Sequence, residues 1–139
     1  MHHPKRIYSS RDLEITFFRN LGKYIKNIQH ESGAIPSNED GSHDPWDHFE
    51  SIMGLNFSNE YEASKRAFNW LIRNQNIDGS WYAKYKNDTP IEKNKPTHFG
   101  PYISVAALHF YKISKDKDFL EKVWPTIELA INFLSLIHI

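Results

Sequence analysis

The densest run of side chains able to do chemistry is His43-Asp44-Pro45-Trp46-Asp47-His48-Phe49-Glu50. Asp47 and Glu50 are three residues apart, which on a helix puts both carboxylates on one face. Paired carboxyl groups suit glycoside hydrolysis: one protonates the leaving oxygen and the other activates water or attacks the sugar. Glu31, beside His30, is a third carboxylate of interest. The candidate catalytic residues are therefore Asp47, Glu50 and Glu31. His43, Asp44, Trp46, His48, Trp81, Tyr82, His98 and Tyr102 are the candidates for substrate contact, the aromatic faces being suited to sugar rings. Each acid also has an ordinary reading. Asp44 caps a helix, Asp47 favours its dipole and Glu50 faces solvent.

Metal chemistry fits poorly. His43 and His48 are five apart, not the four of a helical ligand pair, and no zinc pattern is met. Asn38, Asp40, Ser42 and Asp44 alternate like a calcium loop but lack its turn glycine and its bidentate Glu. No metal site and no cofactor are expected. There is no nucleotide-binding glycine loop and no Ser-His-Asp arrangement. His109, inside an apolar helix, reads as a hydrogen-bonded core histidine, Asp78 as a structural residue, and His2 and His3 as a frayed terminus.

The composition narrows the partners. With 17 basic and 17 acidic side chains in 139 residues, the formal charge is zero. A nucleic-acid binder needs a basic surplus, so none is expected. There is no cysteine, and no apolar run reaches membrane-span length. The N-terminus lacks a signal-peptide stretch, and a cytoplasmic location is the default. A small molecule or glycan is the expected substrate.

Helices must position these residues, because helical periodicity is strong and strand signals are scarce. Apolar residues at helical spacing run from Leu13 to Ile28, giving an outer, amphipathic helix. Asp44-Pro45 opens a second helix as N-cap and first helical residue. Ser58-Asn59-Glu60 opens a third. A fourth, Phe99 to Ile113, is apolar nearly all round. A short helix over Lys117 to Val123 precedes a fifth long one starting at Pro125. Outer and inner helices alternate, as in an all-α helical-hairpin array. Connections after the outer helices are long, about fifteen residues from His30 to Asp44 and about twenty-two from Asn76 to Thr97. Both would emerge at one end, where inner helices present free N–H groups. Trp81, Tyr82 and Tyr85 alternate in a strand-like way.

A repeat links the hairpins. Gln29-x-x-x-Gly33-x-Ile35 recurs as Gln75-x-x-x-Gly79-x-Trp81, 46 residues on. The pattern Arg66-Ala67-x-x-Trp70-Leu71-x-x-x-Gln75-x-x-x-Gly79-x-Trp81 resembles the QW repeat of terpenoid cyclases, whose α/α-toroid the prenyltransferase-type proteins share. Ser32-Gly33-Ala34-Ile35-Pro36, and Asp118-Phe119-Leu120 through Trp124-Pro125 to Leu134, resemble six-hairpin glycoside hydrolases. The resemblance covers residues 11–134 and implies a partial (α/α)6 toroid. It leaves the reaction open between glycosidase-like acid/base chemistry, isoprenoid chemistry and a non-catalytic glycan- or partner-binding toroid. The squalene-cyclase Asp-x-Asp-Asp motif and the prenyltransferase zinc ligands are absent from these residues.

Ala130-x-x-Phe133-Leu134 begins a third copy, yet His138 stands where its Gln is due. Leu134-Ser135-Leu136-Ile137-His138-Ile139 resembles a translated library adapter. The expected organisation is an N-terminal tail over residues 1–10, a truncated toroid domain over 11–134, and a non-native tail over 134–139. The remainder of the same chain would complete the toroid.

Overall fold

The computed structural model describes residues 10–137. His2, His3 and His138 lie outside the described residues. Five helices are present among those described: α1 Ser10–Ile28, α2 Pro45–Phe57, α3 Tyr61–Asn74, α4 Phe99–Ser114 and α5 Lys117–Ile137. The molecule is an all-α helical-hairpin array. α2 packs on α1, α3 and α4, and α4 packs on α2, α3 and α5. The two inner helices thus share a seam, with α1, α3 and α5 outside it. The core lies along that seam and includes Phe49, Ile52, Leu55, Phe68, Trp70, Ile103 and Phe110. Among the described residues no helix is long and apolar enough to cross a membrane.

Helix starts follow local chemistry. Asp44 is the extended N-cap of α2, and its Oδ1 accepts the Asp47 backbone N–H at 2.8 Å, with Pro45 at the first helical position. Asp116 does the same for α5, accepting the Phe119 N–H at 3.0 Å. α4 ends on Lys115 in the left-handed region, at φ 60°.

Three expectations are corrected. The short helix over Lys117–Val123 and the helix from Pro125 are one continuous α5, with Pro125 inside it. A proline ring frees the carbonyl four residues back. Here that is Glu121, which is exposed, so water can satisfy it. α4 is not buried all round, because Val105 and Leu108 are about half exposed, at 50% and 52%. The apolar stripe of α1 is only partly covered. Ile25 and Ile28 pack on the core, whereas Leu13, Phe17, Leu21 and Tyr24 are exposed. Length explains it for Leu13 and Phe17, which lie beyond the Phe18–Phe57 contact where α2 ends. α1 has 19 residues and α2 has 13; at 1.5 Å per residue, α1 outruns its partner by about 9 Å.

The two long connections do meet at one end of the array, and there they form a sheet the sequence barely signals. Strands β1 Ser42–His43, β2 Lys84–Lys86 and β3 Thr89–Glu92 are antiparallel in that order. His43 pairs with Tyr85 and Ser42 with Lys86. Tyr85 therefore lies in a strand, whereas Trp81 and Tyr82 precede it.

The repeated turn has the same geometry in both copies. Gln29 Nε2 donates to Gly33 O at 3.1 Å and to Ala63 O, in α3, at 3.0 Å. Gln75 Nε2 donates to Gly79 O at 3.0 Å and to Thr126 O, in α5, at 2.9 Å. Each Gln thus ties the end of one outer helix to the next outer helix. Gly33 and Gly79 sit at φ 93° and 90°, and a Cβ on either would strike a carbonyl, of Arg66 or Leu129.

Candidate functional site

The helix α2 starts where the sheet ends, and this junction carries the acids. Asp44, Asp47 and Glu50 recur every three residues, so consecutive members share a face. Asp44 is half-buried at the cap. Burial raises its pKa above the ordinary carboxylate value; the Asp47 charge adds to the rise, against the backbone N–H bonds of Asp47 and Trp46 that favour the anion. Asp47 is half-buried and Glu50 is exposed.

An aromatic ledge adjoins this row. Trp46 and Tyr102 have ring centroids 3.9 Å apart, and His98 lies 5.5 Å from Trp46. Trp46 Nε1 donates to Glu50 Oε1 at 3.0 Å, tying the ledge to a carboxylate. The start of α4 therefore delivers His98 and Tyr102 to the same place as α2 delivers Trp46 and Glu50. The seam between the two inner helices makes that meeting unavoidable.

Three proposed contacts are corrected by burial. His43, His48 and Trp81 are each 0% exposed, so none offers a face to a substrate. His43 is wedged against Trp70 at 4.8 Å, His48 at 5.7 Å and Tyr85 at 6.1 Å, and neither ring nitrogen has a partner. His48 Nε2 meets Ala67 O at 3.0 Å. Burial holds His43 down to about 4 and His48 down to about 3, so both are neutral core residues at pH 7. Trp81 donates from Nε1 to Leu71 O at 3.0 Å and packs edge-on to Phe49. It closes the repeated turn onto the outer layer.

The remaining residues divide. Tyr82 is half-buried, with the Lys95 ammonium 5.7 Å from its ring centroid. Glu31 is exposed and lines a different depression of about 470 Å³ with His30, Ser32, Asn87 and Asp88. Asp88 there is fixed by Arg73 at 2.9 Å and Asn74 at 3.0 Å. Asp78 is structural: it accepts from Ser80 N–H and Oγ and from Lys95 Nζ. His109 is half-buried and faces the Asn56 amide at 3.3 Å. Among the described residues no group of three or more His, Asp or Glu could hold a metal ion. Tyr85, the buried anchor between sheet and helices, was legible only as one member of an alternating aromatic stretch. Its hydroxyl accepts the Tyr82 backbone N–H at 2.9 Å, and burial pushes its pKa up to about 12.

The chain has relatives among named glycoside hydrolases. It is 34% identical, over 116 residues, to an MMP endo-(1,4)-3-O-methyl-alpha-D-mannosidase of Mycolicibacterium hassiacum; the match covers 84% of this chain and 32% of that protein. It is 34% identical over 74 residues to an uncharacterized glycosyl hydrolase of Methanocaldococcus jannaschii, covering 52% of this chain and 12% of that protein. This chain is thus related to glycoside hydrolase-like proteins and spans about a third of the first relative's length. Neither relative is named as a prenyltransferase or terpenoid cyclase. No protein-family model matches the chain.

Proposed function

We propose that this chain is part of a glycoside hydrolase of the (α/α)6-toroid type, acting on a glycan through the carboxylates at the start of α2. The observation that carries the reading is the junction of an acid row, Asp44–Asp47–Glu50, with an aromatic ledge of Trp46, Tyr102 and His98. Glycosidases need two carboxyl groups in unlike settings and a flat surface for the sugar. Asp44, whose burial favours the protonated form, is the proton donor to the leaving oxygen. Glu50, held by the Trp46 indole, is the second carboxyl, and Asp47 lies between them. The relatives' names favour this chemistry over isoprenoid chemistry, and the first points to an α-linked, 3-O-methylated mannoside. The repeated Gln–Gly turns support the toroid, with residues 11–134 as one arc and further helices of the same protein completing the ring.

The test uses the intact protein and an α-1,4-linked 3-O-methylmannose oligosaccharide, with reducing ends measured as bonds are cut. Glu50→Gln and Asp44→Asn are each expected to slow turnover about 10²- to 10⁴-fold. Asn caps a helix as well as Asp does, so Asp44→Asn keeps the fold while removing the proton. A dinitrophenyl glycoside, whose leaving group needs no proton, should restore much of the Asp44→Asn rate and little of the Glu50→Gln rate. Full activity in both variants would remove this row from the mechanism. Binding without hydrolysis by the unmodified protein would favour a glycan-binding toroid.

A further inference from the structure

A second surface at the loop end has the makings of a sugar site. The last turn of α1 and the turn after Ile35 enclose a depression of about 250 Å³, lined by Tyr24, Ile28, Pro36, Ser37, Asn38 and Glu39. Half of this lining is apolar and half can form hydrogen bonds, the mixture that small polar ligands with a hydrophobic face require. The Tyr24 side chain is mostly in solvent, with 63% of the residue exposed. Tyr24 continues the exposed stripe of Leu13, Phe17 and Leu21, and it lines the depression.

The polar wall is rigid. Ser37 N–H and Asn38 N–H both donate to Ser42 O at 3.0 Å, and the Asn38 amide reaches Ser42 O and Oγ at 3.2 Å. Asp40 accepts from Ser42 N–H at 2.9 Å and Oγ at 2.6 Å. Ser42 is in turn paired in the sheet and stands two residues before Asp44. Two extended residues span about 7 Å. The polar wall of the depression is therefore tied to the acid row by a short path through Ser42.

We propose that this depression is a remote subsite for one sugar unit of an oligosaccharide whose scissile bond lies at the acid row. The inference rests on the glycosidase reading and adds the substrate class: a chain of several sugars, bound on both sides of the start of α2. Tyr24 stacks on the apolar face of the ring, with Ile28 and Pro36 beneath. Asn38, Ser37 and Glu39 take its hydroxyls.

The experiment measures binding of two- and six-unit α-1,4-linked 3-O-methylmannose oligosaccharides by calorimetry, in the Glu50→Gln protein so that the ligand survives. The six-unit chain should bind at least about tenfold more tightly than the two-unit chain. Adding Tyr24→Ala should erase that advantage and leave the two-unit affinity unchanged, and Tyr24→Phe should keep it. Because Tyr24 is exposed, an unaltered melting temperature should accompany both changes. Equal affinity for the two lengths, or a six-unit affinity indifferent to Tyr24→Ala, would overturn the subsite while leaving the acid row in place. Failure of both oligosaccharides to bind would overturn the subsite and the glycosidase reading together.

Discussion

At His43 a polar ring is buried with neither nitrogen bonded, so its desolvation is offset only by the rings around it. Such a group is tolerated neutral and resisted charged. Unfolded, His43 and His48 take protons below the ordinary 6.5; folded, they resist until about 4 and about 3. Between those values the unfolded chain binds more protons, so stability falls as pH drops below about 6.5, the His43 share levelling off near 4 and the His48 share near 3. For His43 alone the loss is on the order of 3 kcal/mol. Urea unfolding at pH 7 and pH 4.5 measures most of the combined loss, and the difference between the unmodified protein and His43→Leu isolates the His43 share. His43→Leu should remove its share of the slope and cost less than about 1 kcal/mol at pH 7, because no hydrogen bond is lost. An unchanged slope would mean that His43 is already solvated. The sequence set this histidine among site residues because it stands beside Asp44 and Trp46. Proximity in the chain does not encode which way a two-residue strand turns its side chain. Both residues of β1 are buried, and His43 goes against Trp70 and Tyr85 while Asp44 caps α2. Asp44 itself was legible, since cap chemistry is local.

The repeated turn is the element the sequence specified best. A Gln and a Gly four residues apart recur with the same bonds, and the partner carbonyls belong to the next outer helix each time. The requirement for glycine is local and steric, so it reads directly from sequence. Gly79→Ala must move the chain away from Leu129 O and also adopt a φ of 90°. It should cost roughly 2–4 kcal/mol, from strain and lost α5 contact. Gln75→Ala should cost about 1–3 kcal/mol, since two carbonyls lose their donor. Thermal melts of the two single variants and the double variant are expected to give a sum larger than the double effect, because both act on the α3–α5 joint. Additive losses would show the two residues working independently. The sheet was far less legible. Its strands are two, three and four residues long, and their partners lie more than forty residues apart in β1 and β2. No hydrophobic period can register over so few residues, and pairing of that kind is decided by where the helices bring the loops. The continuity of α5 is hidden from the sequence for a related reason. Proline is a strong stop signal in sequence, whereas here the carbonyl it frees belongs to the exposed Glu121 and α5 stays packed on α4.

At the scale of the molecule, the alternation of outer and inner helices is legible in the sequence, and its consequence is visible at both edges of the array. One edge exposes Leu13, Phe17, Phe18 and Leu21 of α1 beside Phe57. The other exposes Val105 and Leu108 of α4. Inner helix α4 packs on α2 along one side and leaves the other uncovered, which is where a further hairpin would sit in a longer array. Exposed apolar surface of this kind drives association in water. With equal numbers of acidic and basic groups, little net charge opposes it. The 139-residue chain in isolation is therefore expected to self-associate, its sedimentation coefficient rising with concentration. Replacing Phe17 and Leu13 with Lys should weaken association through the first edge without lowering the melting temperature, because neither side chain contributes to the core. Val105→Lys with Leu108→Lys should do the same at the second edge. If either pair abolishes association alone, the contact is head-to-tail and uses both edges; if each halves it, like edges meet like. A monodisperse monomer at every concentration would overturn this expectation.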